Sequence, residues 1–415
     1  MPPDLRAPEQ GLPPGFAAAP RHRSYDVVIV GGGIMGAATA WFLASDPVFD
    51  GRVLVVERDP SYAFASTTHT NSCIRQQFST ALNVRISQFT AAYIKNLRAE
   101  LGGDPRVPDL DIHAFGYLYL AASAEGADTL RANVAVQREA GAATRLLTPD
   151  AIADAWPFYA LDGIRLGAIN TVDEGYWDGA TVFDWWRRRA REAGVEWVAD
   201  TVTGLTLARG RVAAVRLARA GDIACGQIVA AAGPRAAEVA RMAGLDLPVE
   251  PRKRHTWVFR AARPLDRALP LTIDPSGVHV RELGGGTYMA GGHGAEDPAV
   301  APDDFAREEG LWEETVWPAL AARIPAFEAI RVEAEWVGHY AMNVFDRNAI
   351  AGPHPDLANL LFLAGFSGHG LQQSPAMGRG TAEWLIHGGY RTLDLSPFHL
   401  DRIAAGRPIL ERAVI

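Results

Sequence analysis

The sequence is poor in cysteine, with only Cys73 and Cys225 among 415 residues. Two cysteines supply neither a disulfide framework nor the paired spacing of a metal centre, so a disulfide-stabilised secreted domain is excluded and no metal is expected. A reducing, cytoplasmic location is predicted. The sequence also lacks any run of about 20 apolar residues, which is the length that a membrane span requires. It therefore predicts no transmembrane segment.

Positive charge is also scarce, because 40 lysines and arginines stand against 48 aspartates and glutamates, for a formal net charge of −8. An acidic protein repels phosphate backbones and anionic lipids, so nucleic acid is not expected as a partner. One short basic cluster is present, at Arg252, Lys253 and Arg254. It is interpreted as a solvated strand edge or as a substrate-facing pair.

Residues 1–23 are predicted to be a disordered leader. They are rich in proline, alanine and glycine, and they lack the apolar core of a secretory signal. A mitochondrial transit peptide is poor in acidic residues, whereas this stretch contains Asp4 and Glu9.

The most informative segment is residues 25–38, where a predicted buried strand leads into a glycine-rich turn and then a helix. Gly31 permits the tight turn, Gly33 lets the backbone approach a pyrophosphate, and Gly36 allows close helix–strand packing. The helix N-terminus supplies free N–H groups and a positive dipole. A second predicted strand ends at Glu57, where a carboxylate binds a ribose hydroxyl pair rather than a 2′-phosphate. Together these features predict a bound dinucleotide.

A second glycine-rich turn follows the predicted strand 360–364 and has the sequence Gly365-Phe366-Ser367-Gly368-His369-Gly370. A helix that begins near Gly370 directs its positive end at the negatively charged N1–C2=O edge of a reduced flavin. This pairing favours flavin over nicotinamide, although an ordinary strand–helix turn has the same composition. A nicotinamide-dependent reductase is the weaker interpretation, because only one complete dinucleotide fingerprint is present.

On these motifs the chain resembles the FAD-dependent amine and D-amino-acid oxidoreductases, which include sarcosine oxidase, dimethylglycine dehydrogenase and glycine oxidase. The resemblance extends from about Tyr25 to the C-terminus and rests on residues 31–36, Glu57, 66–77, 231–234 and 365–375. Within that family the chain is similar to the oxidoreductase-domain proteins associated with assembly of respiratory complex I. This similarity rests on residues 75–79, 365–373 and 394–398.

The resemblance implies an α/β fold in which a Rossmann-like, discontinuous FAD-binding domain is joined to an α+β substrate domain with a mixed or antiparallel sheet. Two domains also agree with the length, which exceeds what one core usually covers. The predicted boundaries are 24–99, 171–247 and 340–390 for the FAD-binding domain, 100–170 and 248–339 for the substrate domain, and 391–415 for a C-terminal tail.

The chemistry implied by the resemblance is removal of a hydride from the C–N bond of a secondary amine or an N-substituted or D-amino acid. The hydride goes to flavin N5, and water hydrolyses the resulting imine. The expected partners are a small amine or amino acid and, as electron acceptor, oxygen or an electron carrier. The alternative is a flavoprotein that acts mainly as an assembly or binding partner of a respiratory complex.

The resemblance also implies a set of residues that bind FAD, which lie in both glycine-rich turns and in the segments beside them. They are Gly31, Gly33, Ile34, Met35, Gly36, Glu57, Arg58, Ser66, Thr67, Asn71, Ser72, Val202, Ala232, Gly233, Gly365, Gly368, His369, Gly370, Leu371 and Gln372.

Arg75 and His255 are candidates for catalysis or substrate contact. Arg75 belongs to the polar loop 66–80, where it holds substrate or flavin or is a salt-bridged structural arginine. His255 alternates with Lys253 and Trp257 on one face of a predicted strand. That face either contacts the substrate or is an ordinary half-buried sheet face, and both interpretations stay open.

Gln372 and Tyr340 complete the catalytic candidates, at positions where this sequence departs from its relatives. Sarcosine oxidase-like enzymes bind the substrate carboxylate with a basic residue where Gln372 stands, and glycine oxidase-like enzymes use an arginine near Tyr340. Met289 replaces a lysine that helps oxygen accept electrons, which favours an electron carrier. A flavin-linking cysteine of some relatives falls near His339, so non-covalent FAD is expected. These departures put a small amino-acid substrate in doubt.

Overall fold

Two eight-stranded sheets and a two-stranded sheet form the frame of the computed structural model, which describes residues 11–413. In chain order the strands are β1 (Ser24–Val30), β2 (Val53–Glu57), β3 (Cys73–Ile74), β4 (Tyr117–Ala121), β5 (Arg145–Leu147), β6 (Leu166–Asn170), β7 (Gly175–Tyr176), β8 (Glu196–Ala199), β9 (Val202–Ala208), β10 (Arg211–Leu217), β11 (Gly221–Ala230), β12 (Val249–Ala261), β13 (Leu271–Ile273), β14 (His279–Gly284), β15 (Thr287–Gly292), β16 (Ile330–Asn343), β17 (Ile350–Pro353) and β18 (Leu360–Ala364).

The helices lie between these strands and after the last of them. They are α1 (Ile34–Ser45), α2 (Ala81–Lys95), α3 (Leu97–Glu100), α4 (Ala124–Glu139), α5 (Pro149–Ala155), α6 (Gly179–Glu192), α7 (Ala236–Met242), α8 (Trp317–Arg323), α9 (Gly370–His387) and α10 (Asp401–Ala404).

The first large sheet has the strand order β17-β18-β11-β1-β2-β8, and the hairpin β9–β10 extends from β11. Its central strands are parallel and nearly continuous in apolar residues, as expected for strands covered on both faces. Val27 and Ile29 of β1 face the helices α1, α6 and α9, whereas Val28 and Val30 pack on the other side with α7. This sheet brings the ends of β1 and β18, and hence both glycine-rich turns, to one edge.

The second large sheet has the order β16-β12-β15-β14-β13-β4-β6-β5 and is antiparallel except where β13 runs parallel to β4. One face is apolar: Trp257, Phe259 and Tyr288 pack with Leu320 of α8 in a buried cluster. The opposite face carries the alternate residues of the same strands and turns toward the first sheet. The protein is therefore a mixed α/β structure, as the sequence predicts.

Part of the predicted disordered leader is ordered. The Ala17 N–H donates to the Trp197 carbonyl at 2.8 Å, and the Ala199 N–H donates to the Ala17 carbonyl at 3.0 Å. The Phe16 ring lies edge-on to Trp197, with the centroids 6.0 Å apart. This stretch is held because β8 offers an edge for pairing and an aromatic surface for Phe16. Residues 1–10 of the predicted leader lie outside the described residues.

The predicted C-terminal tail packs on the first sheet as far as residue 413, and residues 414–415 lie outside the described range. Arg402 donates to both oxygens of Asp346, at 2.7 and 2.9 Å, and both side chains are buried. Within residues 11–413 no helix is long and apolar enough to cross a membrane, and no three potential metal ligands cluster. The division into two domains stays a prediction.

Candidate functional site

A cavity of about 1310 Å³ is lined by residues of both large sheets. It exceeds the roughly 300–1,000 Å³ that is usual for small-ligand pockets, so it has room for an extended ligand. Its lining residues include the β1–α1 turn and the polar loop that contains Arg75.

The β1–α1 turn is shaped by close backbone contacts. Gly31 has φ +100°, and a Cβ there would lie 2.4 Å from the Ala231 carbonyl oxygen. A Cβ on Gly36 would lie 2.0 Å from the Gly31 carbonyl oxygen, so Gly36 lets α1 pack on the turn. Gly33 faces the cavity, and its added Cβ would meet only Thr67 Oγ1, at 3.0 Å. The N-terminus of α1 is thus open to a phosphate.

Glu57 ends β2 at the same edge of the sheet. Its carboxyl oxygens accept from the N–H groups of Gly32 and Asp59, each at 2.8 Å. Burial raises the pKa of this carboxyl, and the two N–H bonds oppose that rise. Glu57 also lines the cavity, so its remaining acceptor sites can receive the paired hydroxyls of a ribose.

The second glycine-rich turn opens the N-terminus of α9 to the cavity. Gly368 has φ +91°, and a Cβ there would lie 2.4 Å from the ring of Tyr340. Only glycine allows that ring to pack on the turn. His369, Gly370 and Gln372 line the cavity beside it. The positive end of an 18-residue helix therefore faces the ligand space, as the chemistry of a reduced flavin requires.

Most of the residues predicted to bind FAD meet at this cavity. Those that line it are Gly31, Gly33, Ile34, Met35, Glu57, Arg58, Ser66, Thr67, Asn71, Val202, Ala232, Gly233, Gly368, His369, Gly370, Leu371 and Gln372. Gly36, Ser72 and Gly365 are not among its lining residues. Ser72 instead donates to the Trp177 carbonyl at 2.7 Å, and Gly365 packs on Asn343. The cradle, the acid and both helix ends fit a dinucleotide with a flavin.

Arg75 lies on the cavity wall with only 2% of its surface exposed. Its guanidinium donates to the carbonyls of Gln77 and Ala413 and, at 3.0 Å, to His369 Nε2. The guanidinium carbon lies 4.0 Å from the centre of the Phe78 ring. These acceptors are all neutral, and none of the carboxylates within residues 11–413 forms an ion pair with Arg75. A buried, fixed cation that has no paired anion within residues 11–413 therefore lines the cavity.

Arg75 forms hydrogen bonds that fix the positions of His369 and Gln372. Because Arg75 only donates, His369 Nε2 must be the unprotonated, accepting nitrogen. Burial and the neighbouring guanidinium hold the pKa of His369 well below its ordinary value. Gln372 Oε1 accepts from the Arg75 backbone N–H at 2.9 Å. Both residues thus act here as neutral groups, and the sequence-predicted pair Arg75 and Gln372 is brought together.

His255 and Tyr340 also belong to the cavity wall, but they are held differently. The His255 ring stacks on Trp257, with centroids 5.7 Å apart, and its Nε2 accepts from the Glu308 N–H at 3.2 Å. Burial lowers the pKa of His255 to about 4, so the ring is neutral near pH 7. The Tyr340 ring lies between Gly368 and the Arg254 guanidinium, 4.6 Å away. Burial raises the pKa of its hydroxyl.

Several cavity residues were not among the catalytic or FAD-binding candidates predicted from the sequence, and Arg254 and His279 are two of them. Arg254 forms two bonds to the Asp297 carboxylate, at 2.8 and 3.0 Å. His279 Nε2 lies 2.9 Å from Asn71 Nδ2, and its Nδ1 is buried with no hydrogen-bond partner among the described residues. Strand alternation places Arg254 and Thr256 opposite the face that carries His255. The sequence showed the alternation but not which face would meet the cavity.

A loop between β15 and α8 covers the cavity from the side of the second sheet. Asp303 pairs with Arg58 at 3.3 Å and also with Arg235, both of which lie near the first sheet. Asp304 pairs with Lys253 at 2.7 Å. Ion pairs therefore join this loop to both sheets, and its residues Asp303 and Asp304 line the cavity.

We expect the protein to lose stability as the pH falls below about 6.5. The lowered pKa of His255 means that the folded chain binds fewer protons there than the unfolded chain, so its contribution is complete above pH 6.5 and is lost towards pH 4. His255→Gln should flatten the pH dependence of the free energy of unfolding by about 2 kcal/mol between pH 6.5 and 4.5. Urea unfolding measures this. The exposed His22 supplies the control, and an equal effect of His22→Gln would contradict the assignment.

The comparisons with known proteins agree with this geometry. A family model described as "DAO: FAD dependent oxidoreductase" matches residues 26–384. The chain is 37% identical to "FAD-dependent oxidoreductase domain-containing protein 1" of Xenopus laevis, over 94% of this chain and 85% of that protein. It is 27% identical to "Sarcosine oxidase subunit beta" of Rhizobium meliloti (strain 1021), over 94% of this chain and 90% of the relative.

The fold is shared with solved structures as well. L-Proline dehydrogenase from P. horikoshii superposes with a TM-score of 0.80 at 25% sequence identity, and the match covers 93% of this chain and 99% of that one. The family match spans both glycine-rich turns and Glu57, which are the elements that build the dinucleotide cradle. The chain therefore belongs to the DAO family of FAD-dependent oxidoreductases, and the family implies FAD as its cofactor.

Proposed function

We propose that this oxidoreductase removes a hydride from the C–N bond of a secondary amine or of an N-substituted or D-amino acid. Water hydrolyses the resulting imine to a carbonyl compound, with release of the shorter amine from an N-substituted donor or of ammonia from a primary D-amino acid. The amino-acid and amine oxidoreductases among the relatives support this class of donor.

One observation carries the proposal: Arg75 is a buried cation on the cavity wall whose hydrogen-bond acceptors are all neutral. These three bonds engage three of the five N–H groups of the guanidinium, so the positive charge and the remaining donors can attract an anion that enters the cavity. The carboxylate of an N-substituted amino acid has the charge and the planar shape that a guanidinium binds. Gln372, fixed beside Arg75, supplies neutral polar contacts where sarcosine oxidase-like enzymes have a basic residue.

When bound, FAD supplies a hydride acceptor at N5. The residues of the chain then have to hold the donor carbon against that position, exclude water and leave the amine neutral. The ion-paired loop between β15 and α8 limits water. The uncharged state of His255, His279 and His369 avoids adding positive charge next to the amine, because burial lowers the pKa of each ring.

We further propose that FAD is held without a covalent bond. His339, the position that matches a flavin-linking cysteine of some relatives, has its Nε2 bonded to the Asp304 carbonyl at 2.8 Å. Its ring also stacks on Phe305, with centroids 4.3 Å apart. A ring held on both sides is poorly placed to bond to the cofactor. Denaturation in acid should therefore release all of the flavin into the supernatant.

An electron carrier is the proposed acceptor, in preference to oxygen. Among the described residues that line the cavity there is no lysine to assist oxygen. Met289, which replaces that lysine in the sequence, is buried and apolar. We also propose a cytoplasmic location, because the chain has only two cysteines. From the family resemblance we propose a FAD-binding domain and a substrate domain whose boundaries fall at residues 100, 171, 248 and 340. The relatives give no support to the alternative role in assembly of a respiratory complex.

Product analysis tests the proposal. The holoprotein is incubated with N-methyl amino acids, proline and D-amino acids, with either oxygen or an artificial electron acceptor present. Carbonyl products are trapped with a hydrazine and identified by mass spectrometry. We expect a carbonyl product from at least one donor, formed faster with the artificial acceptor. Absence of any carbonyl product across the panel would contradict the proposed chemistry.

A further inference from the structure

We propose that residues 409–413, here called the tail strap, position the guanidinium of Arg75 for binding an anion. The tail strap lies far from Arg75 in sequence, yet it meets the wall of the cavity next to the second glycine-rich turn. The role in anion binding rests on the proposed function, whereas the contact itself does not.

The direct link is the Ala413 carbonyl, which accepts a hydrogen bond from the Arg75 guanidinium. The same nitrogen of Arg75 contacts His369 Nε2 at 3.0 Å, and the other terminal nitrogen donates to the Gln77 carbonyl. Two of these three acceptors belong to the body of the protein and one belongs to the tail strap. The orientation of the guanidinium therefore depends on where Ala413 is held.

Glu411 holds Ala413 in place. It is fully buried, and its Oε1 accepts from the Ser79 N–H at 2.8 Å, the Ser79 hydroxyl at 2.7 Å and the Ala413 N–H at 3.0 Å. Its Oε2 accepts from Asn83 Nδ2 at 2.9 Å. All four partners donate. A glutamine at this position would turn an amide NH₂ toward at least one donor and break the arrangement.

The other end of the tail strap is fixed to the loop after β16. The Ile409 N–H donates to Asp346 Oδ2 at 3.1 Å, and the Glu411 N–H donates to the Asp346 carbonyl at 3.0 Å. Asn348 donates to the Ile409 carbonyl. Asp346 is in turn ion-paired with Arg402. The segment is thus anchored along its length rather than resting on the surface.

The same network reaches α9. Asn83 Oδ1 accepts from Gln373 Nε2 at 3.0 Å, and Gln373 is the neighbour of Gln372, which accepts from the Arg75 N–H. Glu411 therefore connects through Asn83 to the helix that carries the polar neighbour of Arg75. The tail strap restrains both the guanidinium and the amide that we propose to meet the substrate.

This restraint has a chemical consequence. A long arginine side chain loses rotational freedom when it binds an anion, and a side chain that is already fixed loses less. A displaced tail strap would leave Arg75 with two fixed acceptors instead of three. Anion binding would then weaken, while the FAD cradle at the β1–α1 turn would stay intact.

Three variants test the proposal in the full holoprotein: Glu411→Gln, a chain that stops at Arg407, and Arg412→Ala as the matched control. Arg412 is exposed and lies in the same segment, so shortening its side chain to alanine leaves the backbone of the tail strap in place. Acetate, glycolate and benzoate are titrated while the flavin absorption is recorded. Glu411→Gln should raise the Kd of a responding carboxylate by about tenfold, as expected for the loss of one hydrogen bond to a charged group. FAD content should stay unchanged in Glu411→Gln and Arg412→Ala.

A second readout does not depend on the proposed function. Phenylglyoxal modifies accessible arginines, and peptide mass spectrometry identifies the modified sites. Arg75 lines the cavity, so phenylglyoxal can reach it in every variant, but a guanidinium held by three acceptors should react more slowly. We therefore expect Arg75 to react at one rate in the unaltered chain and in Arg412→Ala, and faster in Glu411→Gln and in the shortened chain. Arg331, whose side chain is 77% exposed, is the internal reference and should react in all of them.

The outcomes distinguish the positioning role of the tail strap from the proposed binding of a substrate carboxylate by Arg75. If no carboxylate perturbs the flavin of the unaltered protein but Arg75 reacts faster in Glu411→Gln, the positioning role holds and the substrate assignment fails. If carboxylates bind equally well to the unaltered protein and to Glu411→Gln, and Arg75 reacts at the same rate in both, the positioning role is wrong. A shortened chain that loses flavin and unfolds leaves Glu411→Gln, a side-chain replacement of the same size, to decide the question.

Discussion

Gly33→Val should abolish retention of FAD while the protein remains folded. Gly33 does not need a positive φ, and an added Cβ meets only Thr67 Oγ1, at 3.0 Å. The fold therefore tolerates the larger residue, but the side chain occupies the space through which a pyrophosphate reaches the N-terminus of α1. Overpacking together with lost phosphate bonds should cost about 4 kcal/mol, or about 1000-fold in Kd. The ratio of flavin to protein absorbance in the purified variant measures this.

Gly389→Val is the matched control for that variant. A Cβ on Gly389 meets nothing within 4 Å, and this residue lies beyond the end of α9. It should retain flavin at the level of the unaltered protein. Full flavin occupancy in Gly33→Val, with a circular dichroism spectrum like that of the unaltered protein, would show that Gly33 does not lie beside the pyrophosphate.

Arg75→Ala should lower the rate at which a substrate reduces the bound flavin by at least about 100-fold, with a much smaller effect on FAD content. Removal of one partner of a buried charge pair typically costs about 3–5 kcal/mol, and Arg75 is the proposed partner of the substrate carboxylate. The FAD contacts that we expect lie mainly at the backbone of the two glycine-rich turns, and Arg75→Ala removes only one side-chain contact to them, at His369 Nε2. Anaerobic stopped-flow absorbance gives the rate, and the absorbance ratio gives the FAD content.

Two further measurements distinguish a binding role from a structural one for Arg75. Added guanidinium should partly restore flavin reduction in Arg75→Ala, because the cavity created is large enough for the missing group. Arg75→Lys should remain strongly impaired, since an ammonium cannot reproduce the fixed bonds of the guanidinium to Gln77, His369 and Ala413 that place its charge. If Arg75→Ala loses FAD but the substrate reduces the remaining bound flavin at the normal rate, the role of Arg75 is structural.

The sequence predicted the frame of the protein well where local signals are strong. The apolar run before Gly31 predicted β1, and the run 360–364 corresponds to β18. Each is a buried parallel strand followed by a glycine-rich turn. The continuous apolar residues, the short length of the run and the turn residues after it all indicate such a strand. The strand order brings both turns to one cavity. The family resemblance implied this only as a discontinuous FAD-binding domain.

Less of the candidate site could be predicted from the sequence, because the site depends on contacts between residues that are far apart in the chain. His255 shares a strand face with Lys253 and Trp257, yet it lines the cavity together with Arg254 and Thr256 of the opposite face. The alternation of the strand gives the two faces, but no local signal shows that residues of both meet the cavity. Similarly, nothing near Glu411 in the sequence indicates that it supports Arg75, which lies more than three hundred positions earlier.

The most direct test of the account is the visible spectrum of the purified protein under anaerobic conditions, recorded before and after addition of sarcosine, dimethylglycine, proline and D-amino acids. We expect a flavin absorption band that one of these amines bleaches and that recovers only slowly when air is admitted. An artificial electron acceptor should restore it at once. A flavin band that no amine bleaches would contradict the proposed oxidation of a C–N bond, and a protein without any flavin band would contradict the account of the cradle itself.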